Sequence, residues 1–149
     1  MSNKENEELG KLININKDAC DFYKSAQEKT KSSAFKRTFQ DLESLHRSVI
    51  INLKECVRAN GGNAEVSDTF AGQATQFWGE LMTNISNDVD ETLVKHLEEA
   101  EDRCLHSIED AMKEDDIAPA TKTVLSNELS ALQKSHDYMK ALKDSLKAA

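Results

Sequence analysis

Proline occurs once in 149 residues and glycine five times. An all-β sandwich or barrel makes many turns and uses Pro and Gly for them, so the counts argue against both architectures. Aromatic side chains make up only 5% of the chain. No apolar run approaches the roughly 20 residues that span a bilayer. The first eight residues, MSNKENEE, lack the apolar core of a signal peptide. The three cysteines, Cys20, Cys56 and Cys104, are widely spaced and form no CxxC pair. A zinc knuckle or redox dithiol is therefore not indicated, and reduced thiols in a cytoplasmic protein are expected. Basic residues are outnumbered, 19 against 27 acidic, for a formal net charge of −8. That balance argues against nucleic acid as a partner, because phosphate is bound mainly by Lys and Arg. Phosphate-cradling glycine loops, dinucleotide fingerprints and nucleophilic triads are missing too.

What is present is helical periodicity. Four long stretches place apolar residues three and four apart. The first, from about Glu7 to Thr30, has the stripe Leu9, Leu12/Ile13, Asn16, Ala19/Cys20, Tyr23 and Ala26. The second, from about Ser33 to Ala59, has Phe35, Phe39, Leu42, His46, Val49/Ile50, Leu53 and Val57. Asn60-Gly61-Gly62 ends it, since Asn and Gly accept the left-handed backbone that closes a helix. The third, from about Asp90 to Lys113, has Leu93, Leu97, Ala100/Glu101, Cys104, Ile108 and Ala111. The fourth begins near Ala118-Pro119, with Pro suited to a first turn. Its stripe is Val124/Leu125, Leu129, Leu132, His136, Met139 and Leu142/Leu146.

The joints around Lys31-Ser32-Ser33 and over Glu114–Ala118 are short and predict two helical hairpins. Between the hairpins lies a long crossover, Gly61 to Asp88, and so long a connection usually carries structure or function. Within it Phe70, Ala74, Phe77/Trp78 and Leu81 predict a short fifth helix. Phe70, Phe77 and Trp78 could cap the bundle or form a homodimer patch. The expectation is one all-α domain over residues 1–149, a four-helix up-down bundle with a long crossover.

Charge is uneven along this plan. Residues 1–60 carry 11 basic and 9 acidic groups, and residues 61–118 carry 3 and 15. Most acidic groups of the third helix, including Glu98, Glu99, Asp102, Glu109 and Asp110, fall off its apolar stripe and read as a solvated face. Glu101 alone is placed to point inward.

Polar residues inside the stripes carry the chemistry. Glu43-Ser44-Leu45-His46 puts a carboxylate and an imidazole on one helix face, where both can reach one metal. Gln133-Lys134-Ser135-His136 repeats the spacing with an amide. Glu101 and Asn16 complete the set, with Tyr23 nearby. Two imidazoles and two carboxylates fall short of the four carboxylates of a two-metal centre. They suit a single divalent ion (iron, manganese or zinc) on Glu43, His46, Glu101 and His136, with Gln133, Tyr23 and Asn16 as neighbours. The other reading is that these groups satisfy one another by hydrogen bonds in the core. Cys20 and Cys104 read as small core residues, and His96 and His106 as surface residues.

Several segments have a familiar order and spacing. They are Lys17-Asp18, Phe22-Tyr23-Lys24-Ser25-Ala26, Gly61-Gly62, Ala71-Gly72 with Trp78, Leu97-Glu98-Glu99-Ala100-Glu101-Asp102, and His136-Asp137 with Leu142. On these residues the chain resembles a bacterial ferritin-like family known as domain of unknown function 2383. The resemblance implies a ferritin-like fold, no established activity and, by association with ferritin-like proteins, a stress-related role. It maps the family's third-helix Glu-Asp onto Glu101-Asp102. Three functional readings follow: a non-enzymatic bundle holding at most one metal weakly, a metal-dependent oxidase or iron-handling protein, and an interaction module pairing through the crossover.

Overall fold

The computed structural model of the protein describes residues 2–63 and 89–148. Four helices and no strand occur among them: α1 (Ser2–Lys29), α2 (Ser33–Ala59), α3 (Val89–Met112) and α4 (Pro119–Ala148). The expected helix over 70–82, and with it Phe70, Phe77 and Trp78, lies outside the described residues. No helix among those described is long and apolar enough to cross a membrane.

Local chemistry sets the helix ends. Ser32 caps α2, its Oγ accepting from the Phe35 amide at 3.1 Å. At the other end of α2 the amides of Gly61 and Gly62 donate to the carbonyls of Arg58 and Val57. That pair of bonds is a Schellman closure, and it holds Gly61 at φ 77°, where a side chain would be strained. Gly62 is favoured for a different reason: a Cβ there would crowd the side chains of Asn6 and Val57. Helix α1 starts earlier than its periodicity predicts. Its first turn is anchored by Glu5, which is buried and accepts from the side chain of Asn60 and from the Ala118 amide at 2.6 Å.

These contacts also give the helix directions. The start of α1 meets the end of α2 and the start of α4 through Glu5. The end of α1 meets the start of α3, where Thr30 donates to Asp90 at 2.6 Å. Taking α1 as up, α2 and α3 run down and α4 runs up. Each helix packs on two others, α1 on α2 and α3, and α4 on α3 and α2. Asn63 and Val89 therefore sit at opposite ends of the bundle, which two short-loop hairpins alone would not require.

The core has two apolar clusters. One gathers Leu9, Ile13, Val49, Leu53, Ile108, Leu125 and Leu132; the other gathers Tyr23, Phe39, Leu42, Leu93, Leu97 and Met139. On α2, α3 and α4 a buried polar residue falls between the two, His46, Glu101 and Ser135, and Asn16 of α1 bonds to His46 beside them. A polar layer thus crosses the middle of the bundle.

Candidate functional site

The polar layer centres on Glu101. One oxygen lies 2.7 Å from His46 Nε2. The other accepts from Tyr23 Oη at 2.8 Å and from Ser135 Oγ. The opposite ring nitrogen of His46 lies 2.7 Å from Asn16 Oδ1. Asn16 spends its own amide donor on the Leu12 carbonyl at 2.9 Å, which leaves its oxygen as the acceptor. His46 Nδ1 therefore donates to Asn16 and, with Glu101 ionised, Nε2 donates to its carboxylate. The Tyr23 ring stacks on the imidazole, with centroids 5.8 Å apart and planes inclined by 27°. His46 and Glu101 side chains are both 0% exposed.

Burial alone would raise the pKa of Glu101, but the charge of His46 and hydrogen bonds from His46, Ser135 and Tyr23 outweigh it and hold it below 4.5. Tyr23 moves the opposite way: burial and the neighbouring carboxylate push its phenol well above 10, so it stays a donor. The lowered value makes Glu101 a source of pH-dependent stability. That contribution is complete above the ordinary value of 4.5 and is lost as pH falls through the lower folded value. We expect the Glu101 side-chain carboxyl, followed by carbon-13 NMR in the folded protein, to titrate below 4.5. A midpoint above 4.5 would put the proton on the carboxyl and make the pair neutral.

The other residues of the expected metal set lie elsewhere. The Glu43 carboxylate turns away from His46, accepting from Gln27 at 2.7 Å and from Arg47. His136 lies at the seam between α3 and α4, its Nε2 2.5 Å from Asp102 and its Nδ1 3.2 Å from Asp137. Burial works against its protonated form, but the bonds to Asp137 and Asp102 prevail and raise its pKa. Gln133 is exposed and donates to Asp137 at 2.9 Å. Of the proposed set, only His46 and Glu101 are in direct contact, joined by Tyr23 and Asn16.

Ser135 is the core residue that the sequence pattern hid. Leu125, Leu132 and Met139 are fully buried, and the position between the last two is equally compatible with residue 135 or 136. The small hydroxyl, not the imidazole, occupies the inward position. Glu98 is a second surprise. It reads as solvated, yet it is 8% exposed and paired with Lys143 at 3.3 Å. The thiols behave as expected of core residues. All three cysteines are free. Burial, then the charge of Glu43, pushes Cys20 up to about 12, and burial pushes Cys104 well above its usual value. Neither is the low-pKa thiolate that a redox sensor needs.

Residues 4–114 match the model of the family described as domain of unknown function DUF2383. The chain belongs to this family. No curated protein matches it. The DUF2383 match takes in α1, α2 and α3 and stops short of α4, so Asn16, Tyr23, His46 and Glu101 fall inside it. Ser135 and His136 lie beyond it.

Proposed function

We infer that this member of the DUF2383 family is a ferritin-like bundle in which a hydrogen-bonded core layer stands where relatives of that fold carry a two-metal centre. The ferritin-like reading is supported by the helix directions, up, down, down and up, with one long connection between hairpins. One observation carries the functional part: Glu101 accepts from three partners while both nitrogens of His46 are engaged. The layer supplies one carboxylate and one imidazole. A two-metal centre of this fold draws on four carboxylates and two imidazoles. Glu43 is committed to Gln27 and Arg47, and the inward position on α4 is a hydroxyl. The donor set does not fit two metal ions. In this reading the protein is a non-enzymatic bundle, with the stress-related role that its resemblance implies, and not a metal-dependent oxidase.

The test is iron loading. Metal-free protein is titrated with ferrous iron without oxygen, and air is then admitted. We expect fewer than two irons per chain, oxidation no faster than that of free ferrous iron, and no change in either on His46→Ala. Two irons per chain, lost together in His46→Ala and Glu101→Ala, would replace this reading with the iron-handling one.

A further inference from the structure

A second polar group lies at the seam between α3 and α4. Glu98 and Asp102 are four residues apart and so share a helix face. His136 approaches them from α4. Each of the three offers a ligand atom, and these atoms lie within 4.8 Å of one another. We propose that Glu98, Asp102 and His136 form a mononuclear site for a divalent transition-metal cation at the α3–α4 seam.

Four features carry this. First, the donor set balances charge: two carboxylates and a neutral imidazole offset one M²⁺, which the core layer with its single carboxylate does not. Second, an imidazole among the ligands favours zinc or iron over magnesium and calcium, which prefer all-oxygen sites. Third, the imidazole is already oriented. Asp137 holds Nδ1, so Nε2 faces Asp102, and metal-bound histidines are commonly fixed by such a carboxylate on the far nitrogen. Fourth, water can reach the site. The Glu98 and His136 side chains are 11% and 14% exposed and that of Asp102 is 41%, which leaves positions for water ligands.

The seam already holds positive charge without a metal. Lys143 places its ammonium 3.3 Å from Glu98, and a proton is shared between His136 and Asp102. Binding a cation exchanges both: the proton leaves to solvent and Lys143 swings off Glu98. Lys143 is therefore a competitor built into the site, and its removal strengthens binding. This is a signature that a nonspecific surface histidine would not show.

Zinc chloride titrated calorimetrically into the full-length, metal-free protein at neutral pH tests the proposal. We expect one zinc per chain, affinity weakened at least about tenfold by His136→Ala and by Asp102→Asn, and tighter binding in Lys143→Met. His96→Ala, on a different face of α3, should leave the affinity unchanged. The absence of saturable binding would overturn the site, as would native affinity in His136→Ala or weaker binding in Lys143→Met. Zinc lost in His46→Gln but kept in His136→Ala would also overturn it, and would move the ion to the core. Failure here leaves the reading of the core layer intact, because the two sites share no ligand.

Discussion

Glu101→Ala should destabilise the bundle by about 3–5 kcal/mol, the usual cost of removing one partner from a buried ion pair. The cost has an identifiable source. His46 is left with a ring nitrogen facing no acceptor in a site it shares with no water-exposed atom, and Tyr23 and Ser135 lose the oxygen they both donate to. His46→Ala should cost a similar amount, because it leaves the carboxylate without its counter-charge. The double variant should cost less than the two single costs combined, since residues in one network are coupled. Urea unfolding of the four proteins measures this cycle. Additive costs would mean that the 2.7 Å contact carries no coupling.

The second large effect has the opposite sign. Replacing the whole layer with apolar residues of similar size (Asn16→Leu, Tyr23→Phe, His46→Leu, Glu101→Met and Ser135→Ala) should match the native stability or exceed it by about 1–4 kcal/mol. Attraction between buried charges only partly repays their desolvation, and the substitutions leave no unpaired polar atom behind. The layer joins two apolar clusters that would then merge into one core. A variant less stable than native by more than about 2 kcal/mol would show that the polar layer stabilises the bundle outright. Together the two experiments separate the cost of breaking the layer from the cost of having it. A layer that is costly to break and neutral to delete has its value in holding four helices in one register.

Much of this arrangement is legible in the sequence. Every residue of the α1 and α3 stripes is buried, and on α2 all but the half-buried Phe35 and Ile50, because apolar side chains at three- and four-residue spacing leave little choice of face; Phe22, Val94 and Leu105 widen the buried faces beyond those stripes. Asn16, His46 and Glu101 stand out for the same reason: each interrupts an otherwise apolar stripe. What is hidden falls where periodicity is ambiguous or where a neighbouring helix decides burial. On α4 the stripe passes between Ser135 and His136, and the more reactive side chain draws the eye although the smaller one fits the core. On α2, Glu43 lies beside the stripe, and whether it turns toward His46 or toward Gln27 and Arg47 depends on α1. On α3, Glu98 is buried because α1 and α4 flank that helix on two sides and Lys143 covers the carboxylate. None of these neighbours can be read from the local spacing.

The way Glu101 is shared has a kinetic meaning. Contacts within each hairpin, α1 with α2 and α3 with α4, are comparatively close in sequence and can form early. The bonds from His46 and Tyr23 to Glu101 tie one hairpin to the other across 55 and 78 residues. They can form only when the two halves dock. A contact that forms so late contributes little to the speed of folding and much to the barrier against coming apart. The ion pair at the centre of the bundle thus acts as a latch on the finished structure, setting how long the two hairpins stay joined.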